Sequence, residues 1–160
     1  MNSVASKPAL IGIDWGTSSF RAYLIGSEGE VLDRISTSEG IMHLDGQPFE
    51  GVLNSNISSW MARGTIPIIA SGMITSRNGW VETSYVRLPL GADASSAALS
   101  PHELGNGAYI YFVMGVATEH SGGPDVMRGE ETQIIGALEF GPREGKFVMP
   151  GTHSKWVDVK

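Results

Sequence analysis

The feature that most constrains this 160-residue chain is a short motif that occurs twice, once near each end. Residues 14–22 read DWGTSSFRA and residues 149–157 read MPGTHSKWV. In each copy, Gly-Thr-Xaa-Ser follows an apolar stretch and precedes a basic residue and a second apolar stretch. A Gly-Thr turn between two strands presents backbone N–H groups and a hydroxyl, which together can bind phosphate oxygens. One copy alone would indicate only a hairpin turn, but two copies in matching contexts predict a polyphosphate that is held from both sides.

The two turns supply the candidate phosphate ligands. They are Gly16, Thr17, Ser18 and Ser19 on the first turn, and Gly151, Thr152, His153, Ser154 and Lys155 on the second. Asp14 ends the apolar stretch before the first turn, where an acid can hold Mg²⁺ through water beside the phosphates. Arg21 can reach back over the hairpin to a phosphoryl group that gains charge. The alternatives are a turn cap for Asp14 and a surface salt bridge for Arg21.

Apolar runs and their spacing predict an α/β fold. The first three strands form a meander, and one face of the first helix packs on the sheet because apolar residues recur from Phe49 to Met61 at helical spacing. Pro48 is placed at the first turn of that helix. The predicted elements are strands at Ala9–Asp14, Phe20–Ile25, Val31–Ser36, Ile66–Ala70 and Tyr109–Val116, a short helix within Ala92–Leu104, a loop at Gly122–Arg128, a helix at Glu130–Phe140, and strands at Lys146–Met149 and Trp156–Val159.

The second predicted helix carries Ile134, Ile135 and Leu138 toward the interior. The order of three meandering strands, helix, strand, helical patch, strand and helix is that of the ribonuclease-H-like unit. That unit builds the actin, hexokinase and sugar-kinase superfamily. Strands that alternate with helices favour a mixed, largely parallel sheet, here with five strands, covered on both faces.

Composition excludes several classes of protein. The 17 acidic and 11 basic residues give a net charge of −6, which argues against a nucleic-acid partner. The absence of cysteine from the sequence excludes disulfides and thiolate metal sites. No run approaches the roughly 18 apolar residues of a membrane span, and the first residues have no apolar signal region. The expectation is a soluble cytoplasmic protein with small-molecule partners, no membrane contact and an undetermined oligomeric state.

The resemblance to a known family rests on four blocks, which are DWGTSSFRAYL, ASGMITSRNGWVET, DVMRGEETQIIGAL and PGTHSKWV. The stretch IGIDWGTSSFRA resembles the phosphate-binding hairpin of sugar kinases of the actin-like superfamily. The four blocks together resemble the 2-dehydro-3-deoxygalactonokinase family. The resemblance implies transfer of the γ-phosphoryl group of ATP, with Mg²⁺, to the 6-hydroxyl of 2-dehydro-3-deoxy-D-galactonate in galactonate breakdown.

A long polar stretch from Ser71 to Gly91 is the expected substrate loop, because loops of this length in compact domains tend to be functional. A guanidinium can hold the carboxylate of a sugar acid at two points, an amide and a carboxylate can meet its hydroxyls, and a ring can cover its carbon chain. For Trp80 the alternative is a place in the core, and His43, on an earlier loop, is a weaker candidate. The candidate substrate ligands are Ser71, Gly72, Met73, Arg77, Asn78, Trp80, Glu82, Arg128 and His43.

Three carboxylates near the start of the second helix are candidates for the general base, which are Asp125, Glu130 and Glu131. Related sugar kinases have Gly-Asp-Xaa-Gln at this point. GEETQ places Glu131 in the register of that aspartate, with a longer side chain. Acidic residues also favour helix N-termini through the helix dipole alone, which would account for at least one of the two glutamates. Arg128 either orients the carboxylate or meets the acid group of the substrate.

Members of the family are about twice as long as this chain. The resemblance therefore implies a kinase domain at residues 1–142 and the first hairpin of a truncated second domain at residues 143–160. The 160 residues alone are expected to be inactive, with the final strands lacking a sheet to join. The alternatives are a kinase for another sugar or sugar acid, and a non-catalytic nucleotide-binding switch of the actin-like superfamily.

Overall fold

A mixed sheet of six strands carries the larger core of the protein. The structure is a computed structural model that describes residues 6–91, 98–120, 122–151 and 153–160. Its elements in chain order are β1 (Pro8–Trp15), β2 (Phe20–Gly26), β3 (Val31–Thr37), α1 (Phe49–Met61), β4 (Ile68–Ser71), a 3₁₀ turn (Met73–Thr75), β5 (Val86–Arg87), β6 (Leu99–Glu103), β7 (Tyr109–Val113), β8 (Val116–His120), β9 (Gly123–Met127), α2 (Glu130–Phe140), β10 (Gly145–Met149) and β11 (Lys155–Val159).

The strands of this sheet lie in the order β3-β2-β1-β4-β7-β6. The meander of β1, β2 and β3 is antiparallel, as predicted, while β1, β4 and β7 run parallel to one another. The edge strand β6 pairs antiparallel with β7. The sheet is therefore mixed, as predicted, but it has six strands where five were expected.

The core forms because β1 and α1 each bury one side. Along β1 the alternate residues Ile11, Ile13 and Trp15 are buried, which is the period of two that a strand with one apolar face requires. Helix α1 buries Val52, Leu53, Ile57 and Trp60 in the same cluster. Pro48 is the N-cap of this helix, one position before the helical turn expected for it.

A second, smaller core lies beside the first sheet. It is built on a three-stranded sheet of order β5-β8-β9, on α2, and on the β10–β11 hairpin. Val116, Met127 and Ile134 are its buried residues, and apolar side chains of the hairpin pack against them. Strands β10 and β11 pair only with each other, so among the described residues they join no larger sheet, as expected, although their apolar side chains pack on this core.

Two local predictions were wrong, those of a single strand at Tyr109–Val116 and of a loop at Gly122–Arg128. A short helix was expected within Ala92–Leu104; in that segment Leu99–Glu103 forms the strand β6, and residues 92–97 lie outside the described part of the chain. The strand expected at Tyr109–Val116 is divided between two sheets at Gly115, where a Cβ atom would lie 2.8 Å from the Met127 carbonyl oxygen. Because a side chain has no space there, only glycine allows the chain to pass from the first sheet to the second at that point.

The loop expected at Gly122–Arg128 is the strand β9, which pairs antiparallel with β8. Pro124 is tolerated in β9 because β9 is an edge strand of its sheet, where a residue without an N–H group loses no ladder hydrogen bond. In α2, Ile134 is buried and Leu138 packs on the second core as expected, whereas Ile135 is 44% exposed. No helix among the described residues is long and apolar enough to cross a lipid bilayer.

Candidate functional site

A hollow of about 460 Å³, here called the strand-end cleft, lies where β1 and β4 end beside the start of α2. Asp14 of β1 is the parallel partner of Ser71 of β4, so two strands end together at this point. Ligands of open α/β sheets bind beyond the carboxyl ends of parallel strands. The lining residues are Gly12, Ile13, Asp14, Arg21, Tyr23, Ser71, Gly129, Thr132 and Gln133.

Asp14 and Arg21 form an ion pair that opens on this cleft. They are opposite residues in the β1–β2 register, and Arg21 Nη1 donates to Asp14 Oδ2 over 2.9 Å. Their side chains are 31% and 47% exposed, and pairs as exposed as this contribute little to stability. Arg21 therefore forms the salt bridge that was named as its alternative role. This ion pair also holds both charges at the mouth of the cleft.

Two glycines bring the backbone close to Asp14. Gly72 has a φ of 96°, and a Cβ atom there would lie 2.9 Å from the Trp15 carbonyl oxygen and 3.2 Å from Asp14 Oδ1. Gly129 has a φ of 109°, and its Cβ atom would lie 3.2 Å from the Gly72 Cα. Both positions therefore need glycine for its conformation and for its size. As a result, the start of α2 approaches the end of β1 directly.

The donor set at Asp14 fits a hydrated magnesium ion. Within the described ranges, no three His, Cys, Asp or Glu side chains form a group that could hold a metal by itself. Mg²⁺ in phosphotransferases keeps several waters and takes one or two carboxylates together with phosphate oxygens. A single, partly exposed carboxylate at the mouth of a cleft meets that requirement.

The first Gly-Thr turn is held in place by a segment that the sequence analysis missed. Gly16 N–H donates to the Ser19 carbonyl over 2.9 Å and closes the turn. The segment Glu39–Met42, here called the brace, forms hydrogen bonds with this turn. Ile41 and Met42 donate their N–H groups to the Gly16 and Thr17 carbonyls over 3.0 and 3.1 Å. The Gly16 and Thr17 carbonyls therefore point toward the brace.

Gly40 and Glu39 fit the brace to the turn. A Cβ atom at Gly40 would lie 2.3 Å from the Thr17 carbonyl oxygen, so the two backbones are in contact. The Trp15 indole donates to the Glu39 carbonyl over 2.8 Å, and Asn56 donates to the Glu39 carboxylate over 2.9 Å. The only sequence signal for this contact was the presence of a glycine in that loop, because the partners are far apart along the chain.

The second Gly-Thr turn joins β10 to β11, as predicted, although Thr152 lies outside the described residues. Gly151, His153 and Ser154 are exposed at this turn. Lys155, which follows them, is 16% exposed and forms an ion pair with Asp125 of β9. A candidate phosphate ligand and a candidate base are therefore paired with each other.

A larger hollow of about 760 Å³, here called the hairpin groove, lies between α2, β9 and the β10–β11 hairpin. It is lined mainly by apolar side chains, with Asp125, Glu131 and Lys155 among its polar residues. Among the predicted site residues, Asp14, Arg21 and Ser71 line the strand-end cleft. Thr132 and Gln133 of α2, which were not predicted as site residues, also line that cleft.

Both candidate glutamates bind main-chain N–H groups at the start of α2. The two Glu131 oxygens accept from Gly129 N over 2.9 and 2.8 Å, and Glu130 Oε2 accepts from Arg128 N over 2.9 Å. Glu131 is only 5% exposed. Burial raises the pKa of Glu131, the hydrogen bond from Gly129 opposes that effect, and the nearby charge of Glu130 raises the pKa further.

The predicted substrate loop divides into a buried part and an exposed part. Ser71 and Gly72 are buried, while Met73, Arg77, Asn78 and Glu82 are exposed. Trp80 packs with the rings of Trp15, Phe49, His102 and Phe112, which favours the core alternative for this residue. His43 is exposed, and Arg128 turns into the loop, where it binds Thr75 and Thr83.

The comparisons with known proteins agree on one family. The family model described as 2-keto-3-deoxy-galactonokinase matches residues 14–160. A curated relative from Rhizobium meliloti, named "Probable 2-dehydro-3-deoxygalactonokinase", is 38% identical over 147 residues, which are 91% of this chain and 47% of the relative. The 2-dehydro-3-deoxygalactonokinase of Escherichia coli is 34% identical over 149 residues, which are 93% of this chain and 49% of the relative.

A solved structure shows the same likeness. A crystal structure of a "putative 2-dehydro-3-deoxygalactonokinase protein" from Sinorhizobium meliloti superposes with a TM-score of 0.82 at 36% identity. The match covers 94% of this chain and 49% of that one. This chain therefore spans about half the length of the relatives that it matches.

Substitution of Gly40 tests the brace. We expect Gly40→Ala to lower the free energy of unfolding by roughly 1–3 kcal/mol or more, because the new methyl group would collide with the Thr17–Ser18 backbone. Gly136→Ala is the matched control, since it lies within α2 with open space around it and should raise stability by about 0.5–1 kcal/mol. Urea unfolding of both variants measures the difference, and a Gly40→Ala protein as stable as the unaltered one would contradict the brace.

The buried carboxyl of Glu131 predicts a pH-dependent contribution to stability. Because its pKa is raised on folding, the folded state binds the proton more tightly than the unfolded state, and this contribution falls as pH rises from about 4.5. Urea unfolding at a series of pH values should show the stability difference between the unaltered protein and Glu131→Gln decreasing with pH. The corresponding difference for the exposed Glu139→Gln should stay flat, and equal slopes for both variants would contradict the assignment.

Proposed function

This chain belongs to the 2-keto-3-deoxy-galactonokinase family, and we propose that it forms the part of such a kinase that grips the phosphates of ATP and presents a sugar acid to them. The proposed reaction transfers the γ-phosphoryl group to the 6-hydroxyl of 2-dehydro-3-deoxy-D-galactonate. The observation that carries the proposal is the meeting of Asp14, Arg21 and a braced Gly-Thr turn at the ends of two parallel strands.

The first turn and the cleft beside it are proposed to hold the phosphates. The N–H groups and hydroxyls of residues 16–19 would bind phosphate oxygens, and the second turn at residues 151–155 would bind them from the other side. Asp14 would hold Mg²⁺ through water, and the ion would neutralise phosphate charge when it is bound. Arg21 would release Asp14 and stabilise the charge that develops on the phosphoryl group during transfer.

Glu131 is the proposed general base. Its Oε1 or Oε2 would accept the proton of the 6-hydroxyl as that oxygen attacks the γ-phosphorus, while the bond from phosphorus to the bridging oxygen breaks and ADP leaves. Burial favours this assignment because it brings the pKa of Glu131 upward, toward neutral pH, where a base is most effective. Asp125 and Glu130 remain the alternatives, the first paired with Lys155 and the second bound to Arg128 N.

The exposed part of the substrate loop is proposed to hold the sugar acid. Arg77 would bind the carboxylate at two points, and Asn78 and Glu82 would bind the hydroxyls. Ser71, Gly72 and Met73 lead from the strand-end cleft into that part of the loop, and His43 is a weaker member of the set.

We further propose that residues 1–142 form a ribonuclease-H-like domain and that residues 143–160 are the first hairpin of a second domain. The sheet order, with an antiparallel meander beside three parallel strands, supports the first assignment. The repeat of the Gly-Thr turn in the β10–β11 hairpin supports the second. A cytoplasmic location, where ATP is available, is part of the same proposal.

A coupled assay of ATP consumption by the whole gene product tests this function. We expect phosphorylation of 2-dehydro-3-deoxygalactonate, with its gluconate epimer and a panel of other sugar acids as comparisons. Product analysis should locate the phosphate at the 6-position. Activity only toward another acceptor would replace the substrate assignment, and ATP hydrolysis that no sugar acid stimulates would contradict the kinase.

Replacement of Glu131 tests the base. In the whole gene product, Glu131→Gln should lower kcat by roughly 10²–10⁴, because the amide cannot accept the proton of the hydroxyl. Glu139→Gln, an exposed change on the same helix, should leave kcat unaltered and is the control. If Glu131→Gln keeps normal turnover, the base is Asp125 or Glu130, and the same measurement on their amide variants identifies it.

A further inference from the structure

The guanidinium of Arg128 is enclosed by the loop that leads from β4 to β5. Its Nη1 donates to the Thr75 carbonyl, to Thr75 Oγ1 over 2.6 Å and to Thr83 Oγ1 over 2.8 Å. Its Nη2 donates to the Thr83 carbonyl over 3.2 Å, and its Cζ lies 4.4 Å from the centre of the Tyr85 ring. One side chain therefore joins residues on both sides of the exposed stretch that contains Arg77.

The partners of Arg128 are themselves held firmly. Thr75 is fully buried and Thr83 is 7% exposed. The Thr75 hydroxyl also lies 3.2 Å from the Gly72 carbonyl and 3.3 Å from the Val113 carbonyl. The Nε atom of Arg128 is buried and has no hydrogen-bond partner among the described residues. The guanidinium is thus directed into the protein, toward the loop between β4 and β5.

The backbone of Arg128 connects this loop to the start of α2. Its N–H group donates to Glu130, and the N–H group of the next residue, Gly129, donates to Glu131. Gly129 in turn lies against Gly72, at the beginning of the loop. Residues 128 and 129 therefore bind both the proposed substrate loop and the two glutamates.

We propose that Arg128 is a positioning residue, which sets the distance between the sugar acid on the loop and the base on α2. This inference rests on the proposed function, and of the two roles expected for Arg128 it takes orientation rather than direct contact with the acid group of the substrate. A lysine cannot reproduce the arrangement, because one ammonium cannot span two threonines in the way that a planar guanidinium does. The action of Arg128 on the substrate passes through Thr75 and Thr83.

The test compares Thr83→Val and Thr83→Ser with Arg128→Lys and Arg128→Met in the whole gene product. Loss of the Thr83 hydroxyl removes one acceptor of the enclosed guanidinium and weakens its hold on that side of the loop, so Thr83→Val should raise the KM for the sugar acid or lower kcat by roughly tenfold or more. Arg128→Lys and Arg128→Met should give the same pattern, with the KM for ATP changed less than about twofold. Thr83→Ser keeps the hydroxyl and should restore activity.

Arg87→Met is the matched control, because it removes an arginine of the adjoining strand whose ion pair with Glu119 is exposed. It should leave both KM values unchanged within about twofold. The double variant Arg128→Met with Thr83→Val should be no worse than Arg128→Met alone, since the two changes remove one interaction. Thr83→Val alters no charge, so it carries the test if Arg128→Met does not fold.

Two results would overturn the inference. If Arg128→Met loses activity while Thr83→Val keeps normal kinetics, Arg128 acts on the substrate directly. The second result comes from limited digestion with trypsin, which needs no activity. Cleavage after the exposed Arg77 should be several-fold faster in Thr83→Val than in the unaltered protein and in Arg87→Met. Equal cleavage rates would show that Arg128 does not hold the loop through Thr83 and would refute the inference. An unaltered protein that phosphorylates no sugar acid would refute the proposed function alone.

Discussion

The close approach of three backbone segments around Asp14 is the constraint on which the site depends. The end of β1, the turn after β4 and the start of α2 meet through Gly72 and Gly129, both at positive φ. Because no side chain separates them, the helix start and the strand end share one cleft. A larger residue at either glycine would push α2 away from Asp14, and it would also move the two glutamates whose carboxylates bind the first N–H groups of that region.

Local patterns predicted the elements well where one face of an element is buried. The meander and both helices followed from apolar spacing, and the structure has them within about two residues of the predicted limits. The errors lie where the position in the sheet matters more than the residue. Pro124 indicates a loop in isolation, but it is acceptable in β9 because β9 is an edge strand. Gly115 stands inside an apolar run, and only contact with Met127 shows why the chain changes sheets there.

The site was predictable as a set of residue types and much less so as an arrangement. Asp14, Arg21 and Ser71, which were expected in separate roles, line one cleft. The brace was missed because Gly40 and Glu39 act on residues more than twenty positions away, through backbone contacts that leave no periodic pattern. For Trp80 and Arg128 the sequence left two roles open, which were contact with the substrate or a place in the core for Trp80, and contact with the substrate or orientation of the carboxylate for Arg128. Both residues are surrounded by partners that are distant in sequence, such as Phe112 and Thr75.

The two glutamates at the start of α2 have structural contacts that agree with the chemistry proposed for Glu131. A carboxylate that binds the first N–H groups of a helix is stabilised in its charged form, which lowers its pKa, whereas burial acts in the opposite direction. For Glu131 burial is the larger effect, so its pKa is raised even though both oxygens accept from Gly129. The hydrogen bond fixes where the carboxylate points, and burial adjusts how readily it takes a proton. An acid placed in this way is held in position by the fold before any substrate arrives, which is what a general base requires.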